Sequence, residues 1–197
     1  APSEGDSLQP SPQMKEDAVD KATQHDETDD RNLSFAESRR AFQLKRDRAH
    51  AHFQHGVALA EEGLYTDALA AYEEVERIDP RFEDLEYNRG VCYTEMEQWD
   101  AALACYERAL KQDAGFISIY INKAHALIAV SRFDEAARAA AVAIRIDPEL
   151  ELAYQLRGVA QLNAGEMEGA LSEFDRCIAL NPDSASHHFN RGLALED

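Results

Sequence analysis

Seven histidines, three cysteines and a recurring asparagine are the side chains of this 197-residue chain with the most chemistry to offer. His50, His52 and His55 cluster, and the spacing of the last two puts two imidazoles on one helical face. A metal would need a third ligand at a suitable distance along the chain, and none is evident. The three are therefore read as exposed or partly packed residues of a helix, with no metal. Cys92, Cys105 and Cys177 are an odd number, spaced neither as a disulfide framework nor as a Cys-x-x-Cys site, and read as buried free thiols. No GxGxxG, GxxxxGKS/T, GxSxG or HExxH occurs, so neither a catalytic residue nor a cofactor is expected.

The asparagine is more informative because of where it returns. "EYNRG" at 86–90 has a near copy in "HFNRG" at 188–192, 102 residues on, which is three steps of 34. A fixed period of that size marks a stack of like structural units. The same step generates a column of small residues, Gly56, Gly90, Ala124, Gly158 and Gly192, and a second at Ala68, Ala102, Ala136 and Ala170. Two such columns predict helical hairpins whose helices cross closely because neither carries bulk at the crossing. Larger columns surround them: Leu59, Tyr93, Leu127, Gln161 and Leu195 on the first helix, and Tyr72, Tyr106, Ala140 and Phe174 on the second.

The turns of the hairpins are placed at "EEGLYTD", "EMEQWDA", "AVSRFDE" and "NAGEMEG". Each holds one large side chain followed by Thr66, Asp100, Asp134 or Glu168, which suit the positive start of a second helix. The second helices should end near Pro80, Ala114, Pro148 and Pro182, since proline cannot continue the hydrogen-bond ladder.

These columns resemble the tetratricopeptide repeat, whose signature combines the 34-residue period with small, aromatic and proline positions. The resemblance covers residues 49–197 as repeats 49–82, 83–116, 117–150 and 151–184, with 185–197 as the first helix of a fifth. It implies an all-α fold, a right-handed α-solenoid of antiparallel helical hairpins whose first helices line a concave face. It also implies a protein–protein interaction module: the chain would bind a peptide or protein segment in that groove as an adaptor, scaffold or assembly factor, without catalysis.

In relatives that bind extended peptides, an asparagine on the first helix typically bonds the ligand's main chain; the similar column here is Gln54, Asn88, Asn122, Leu156 and Asn190. An amide offers both donor and acceptor, so it can hold backbone without dictating sequence. Leu156 interrupts the ladder. Beside it stand Phe53, Tyr87, Ile121, Gln155 and Phe189, and one turn on Val57, Val91, His125, Val159 and Leu193, which would make a largely apolar floor suited to an amphipathic helix or an apolar segment. Packing against the neighbouring repeat competes for the same side chains, Phe53 and Ile121 above all. The following column, His55, Arg89, Lys123, Arg157 and Arg191, could meet a ligand's anionic group or pair with carboxylates of adjacent repeats. Receptors that clamp chaperone C-termini place lysines and a further asparagine where this chain has Phe53, Val57, Tyr87 and Val91, which argues against that subclass.

Outside the repeats, residues 1–33 are acidic and poor in large apolar side chains and read as a flexible tail. Ser34 and Glu37 fit a capping box, so a helix should begin at Ser34. Residues 34–48 carry five basic and two acidic side chains, with Phe35 and Phe42 one heptad apart, and read as a helix covering the end of the first repeat. The alternatives are contact with an acidic lipid surface or occupation of the groove. The net charge of −18 excludes nucleic acid as a general partner.

The alanine-rich stretch "AARAAAVAI" is too short to cross a bilayer. The chain begins with Ala1 and not Met and so reads as processed or excerpted; the cytoplasm is the favoured compartment, with a periplasmic or membrane-tethered one the alternative where a signal or anchor preceded it. Two rival readings remain: a self-assembling homo-oligomer, and the regulatory or substrate-binding part of a larger enzyme.

Overall fold

A computed structural model of the chain describes the backbone of residues 12–196 and the side chains of residues 34–196. The expected tail at 1–33 therefore lies partly outside the described residues. The chain divides into two compact units, residues 1–48 and 49–197.

Helix α1 runs from Pro12 to Glu61 and does not begin at Ser34. No glycine or proline stands between Gln13 and His55, so nothing in that stretch breaks the hydrogen-bond ladder, and Pro12 suits a first helical position. In the unit of residues 1–48, Phe35, Phe42 and Leu44 are all exposed.

In the second unit, the end of α1 is followed by α2 (Tyr65–Ile78), α3 (Leu85–Glu95), α4 (Trp99–Gln112), α5 (Ile117–Ala129), α6 (Phe133–Ile146), α7 (Glu151–Asn163), α8 (Met167–Leu180) and α9 (Ala185–Glu196). The described residues contain no strand. The second helices start at Tyr65, Trp99, Phe133 and Met167, one exact period apart. This is the solenoid of antiparallel hairpins that the periodicity predicts.

Each hairpin turns in the same way. Gly63, Glu97, Ser131 and Gly165 adopt positive φ of 78°, 56°, 59° and 81°. The next residue's N–H reaches back five positions: Leu64 to Leu59, Gln98 to Tyr93, Arg132 to Leu127 and Glu166 to Gln161, at 2.8–2.9 Å. These bonds satisfy carbonyls that the end of a helix would otherwise leave without partners. No side chain caps the second helices; Leu64, Gln98, Arg132 and Glu166 hold the N-cap position through backbone geometry alone.

The second helices end on Asp79, Asp113, Asp147 and Asn181, all extended with ψ between 86° and 103°. Ala114 stands where the other three repeats have proline, yet α4 ends at the same register. An Asx turn supplies the stop: Asp79, Asp113 and Asp147 each accept the backbone N–H two residues on, from Arg81, Gly115 and Glu149, at 3.1, 2.7 and 3.0 Å. Tyr120 and Tyr154 then donate to the carbonyls of Ala114 and Pro148, tying each connection to the following helix.

The small columns have a different partner from the one their spacing suggests. Ala68, Ala102, Ala136 and Ala170 are fully buried as expected. The glycines, however, face the aromatic column of the second helix. A Cβ on Gly56, Gly90 or Gly158 would lie 2.4, 2.5 or 2.7 Å from the ring of Tyr72, Tyr106 or Phe174. In the third repeat Ala124 and Ala140 are both fully buried, so the methyl group at 124 accompanies the loss of the ring at 140.

Candidate functional site

Contacts between helices establish which layer is inner. Among the described residues, first helices touch first helices (α3 on α5, α5 on α7, α7 on α9), whereas no two second helices touch. Each second helix meets the next hairpin through that hairpin's first helix (α2 on α3, α4 on α5, α6 on α7, α8 on α9), so the units close up on the side of the first helices, which line the concave face of the second unit.

Along that face the amide column is partly ordered by its neighbours. Asn88 donates through Nδ2 to the carbonyl of Asp84 at 2.9 Å, at the start of its own helix. Asn122 donates to the Tyr87 hydroxyl in the preceding repeat at 3.4 Å. Gln54 is exposed and meets His50 at 2.9 Å, and Asn190 is half-buried. An amide nitrogen carries two hydrogens, so one such bond orients the group without exhausting it. Leu156 packs against the central core, so the ladder is interrupted at the fourth repeat.

The aromatic column serves two purposes. Phe53 is half-buried, with its ring centroid 4.8 Å from Phe82 and 5.7 Å from Tyr72. Tyr87 is half-buried, 4.8 Å from Phe116 and 6.5 Å from Tyr106. Both thus brace the stack while leaving part of the ring on the surface. Ile121, Gln155, Val57, Val91 and Val159 are also half-buried, whereas Phe189 is 65% and Leu193 40% exposed. His125 is exposed, with its ring edge-on to Trp99 at 5.9 Å. Of these columns, the members on α9 are the most open.

The basic column is engaged within the fold. Arg89 pairs with Glu76 at 2.8 Å and with Glu86 at 3.4 Å, Lys123 with Glu107 at 3.4 Å, Arg157 with Glu173 at 2.7 Å, and Arg191 with Asp175 at 2.5 Å. Burial pulls the Arg89 guanidinium down, and the carboxylates of Glu86 and Glu76 outweigh it, so the net shift is upward. Except for Glu86, every partner lies on a second helix, so this column ties the two helical layers together. His55 is exposed.

The histidine cluster does not converge. His50 bonds Gln54, His52 is half-buried and His55 is exposed. Among the described residues no three His, Cys, Asp or Glu side chains are placed to share a metal ion. The three cysteines are free and buried, and burial pushes each thiol up to about 11. No helix among the described residues is long and apolar enough to cross a membrane.

Two contributors were not anticipated. The residues that end the second helices recur at the 34-residue step as Asp79, Asp113, Asp147 and Asn181, a signal present in the sequence just before Pro80, Ala114, Pro148 and Pro182. Glu86, buried, takes Arg89 and Arg108 together in the position where the next repeats carry Tyr120 and Tyr154.

Comparison with known proteins matches the tetratricopeptide repeat family models over residues 84–116 and over 32–81, 121–185 and 156–197. A 69-residue segment is 33% identical to the tetratricopeptide repeat and J domain-containing co-chaperone DNJ1 of Cryptococcus neoformans, covering 35% of this chain and 13% of that protein. Among solved structures, MamA (residue 41 to the end) from Desulfovibrio magneticus RS-1 has a TM-score of 0.72 at 18% identity over 75% of this chain and 84% of its own. The second repeat domain of human RPAP3, solved with an HSP70 peptide, has a TM-score of 0.55 at 22% identity, over 57% of this chain and 93% of its own. The Arabidopsis OM64 repeat domain scores 0.56, also at 22% identity, over 58% and 94%. With helical hairpins at a 34-residue period and family models that match most of its length, the chain belongs to the tetratricopeptide repeat family, a family of protein-interaction modules.

Proposed function

We propose that the concave face of residues 49–196 binds a segment of a partner protein, and that the chain works as a non-catalytic adaptor, scaffold or assembly factor. The observation that carries this reading is the placement of Asn88 and Asn122 on adjacent first helices, each oriented by one hydrogen bond, beside the half-buried Tyr87 and Ile121. Such a strip holds peptide backbone with its amides and apolar side chains with its floor. Structural neighbours solved with HSP70 and HSP90 peptides support a peptide as the ligand class. The residues Phe53, Val57, Tyr87 and Val91 on this face favour an apolar segment over an acidic chaperone terminus. Phe189 extends the floor at α9, while Arg89, Lys123, Arg157 and Arg191, held in ion pairs, orient rather than grip.

The test is selection of short peptides on the wild-type chain from an array, followed by affinity measurement for the chain carrying Asn88→Ala and Asn122→Ala. Binding should fall at least about tenfold with helicity and melting unchanged; undiminished binding would sink the reading.

A further inference from the structure

Residues 34–48 present an unusual surface. Phe35, Arg39, Phe42 and Arg46 recur at spacings of four, three and four, so they form one stripe along a helix in which aromatic and cationic side chains alternate. Phe35 and Phe42 are 65% and 68% exposed, and the Arg39 guanidinium lies 5.7 Å over the Phe35 ring. An anionic bilayer favours a helix whose apolar and cationic side chains are segregated on opposite faces, whereas here the arginines lie within the aromatic stripe itself. The stripe instead matches a protein surface on which apolar sites alternate with carboxylates.

The first two repeats of this same chain carry such a surface. Along α1 and α3, the spacing of three and then four residues places Gln54, Val57 and Glu61 on one strip and Asn88, Val91 and Glu95 on the next. Glu61 and Glu95 are exposed, and Glu95 accepts a long bond of 3.4 Å from Tyr65. The third and fourth repeats have Ala129 and Asn163 instead, so the carboxylates mark the first two strips alone. Packed helices lie roughly 8–10 Å apart. Seven residues of helix, the separation of Arg39 from Arg46 and of Phe35 from Phe42, rise about 10.5 Å. Every second turn of the stripe therefore recurs at about the spacing of neighbouring packed helices. Charge agrees with shape, since residues 34–48 carry five basic and two acidic groups while residues 49–197 carry 12 and 27.

We propose that residues 34–48 of one copy dock across the inner face of repeats one and two of a second copy, Phe35 and Phe42 against Val57 and Val91, Arg39 and Arg46 against Glu61 and Glu95. The inference rests on the inner face being the binding surface, and it makes a second copy of this chain one of the segments that the face accepts.

The test is sedimentation of the full chain over roughly 1 to 300 μM, a range that brackets micromolar association. The mass should rise with concentration, and less steeply when salt is raised from about 50 to about 500 mM. Arg39→Glu with Arg46→Glu, and separately Glu61→Arg with Glu95→Arg, should each weaken association at least about tenfold. Mixing the two variants should restore it, because one orientation of the contact regains both pairs. All four positions are exposed, and unchanged melting would show the fold intact. A chain monomeric throughout, or association indifferent to either pair, overturns the inference. Binding to phosphatidylserine vesicles without self-association also overturns it and assigns the segment to lipid. Peptide capture measured on the same variants separates the two readings: if it survives where self-association is absent, only this inference fails.

Discussion

The Cβ that Gly90 lacks would stand 2.5 Å from the ring of Tyr106, closer than nonbonded carbons come. The two residues are a matched pair on facing helices, and Gly56 with Tyr72 and Gly158 with Phe174 repeat the arrangement. Gly90→Ala should therefore destabilise the fold by about 1–3 kcal/mol in urea unfolding, the cost of overpacking a filled site. Adding Tyr106→Ala should cost less than the sum of the two single changes, since it recreates the pair present at Ala124 and Ala140. Gly192, with nothing within 4 Å of its would-be Cβ, should accept alanine and gain about 0.5–1 kcal/mol.

Two of the four hairpin turns place a residue with a side chain where the others use glycine. Glu97 and Ser131 hold φ of 56° and 59°, a region in which a Cβ costs about 1–2 kcal/mol. Glu97→Gly and Ser131→Gly should each raise stability by roughly 0.5–1 kcal/mol, after the greater freedom of glycine in the unfolded chain is subtracted. Gly63→Ala and Gly165→Ala should do the reverse, and thermal melts of the four variants decide it.

Ala114 stands in the proline column of the second-helix ends. The residue before it, Asp113, has φ −135° and ψ 103°, close to the −136° and 94° of Asp79 before Pro80. That extended geometry is what a following proline demands. Ala114→Pro should stabilise by about 0.4–1 kcal/mol by narrowing the unfolded ensemble, with the helix ends unchanged by circular dichroism.

Burial holds the thiols of Cys92, Cys105 and Cys177 at about 11, above their ordinary value of 9.0. It raises the Tyr72 and Tyr106 hydroxyls as well. Between the two thiol values the native chain keeps protons that the unfolded chain has released. Their contribution is thus complete below pH 9 and is lost as pH climbs toward 11. The urea midpoint should fall across that window, more gently after Cys→Ser changes if these thiols are responsible, and a flat profile would contradict it.

The architecture was legible because every hairpin repeats its neighbour, so that a weak local preference recurs four times at one step. What escaped was relational. Nothing in the glycine column states that its partner is the ring sixteen positions on; the coupling becomes readable only through the third repeat, where both members change together. The helix ends follow the aspartates beside the prolines, since Asp113 ends α4 in the same register with no proline after it. Helix α1 begins at Pro12 and not at Ser34 because the capping box of Ser34 and Glu37 is a local signal, which an uninterrupted run of helix-compatible residues overrides. The engagement of the basic column was not readable: Arg89 and Glu76 stand thirteen residues apart on different hairpins, and only the packing of α3 on α2 brings them together.

That first helices touch one another while second helices do not, among the described residues, has a mechanical consequence. Second helices reach the next hairpin through its first helix and not through one another, so the outer layer can spread or close about the inner contacts like the leaves of a fan. A ligand lying across several first helices crosses the pivots themselves and splints them. Occupation of the inner face thus stiffens the array along its length, and changes at the pivots alter its pitch with every hairpin intact.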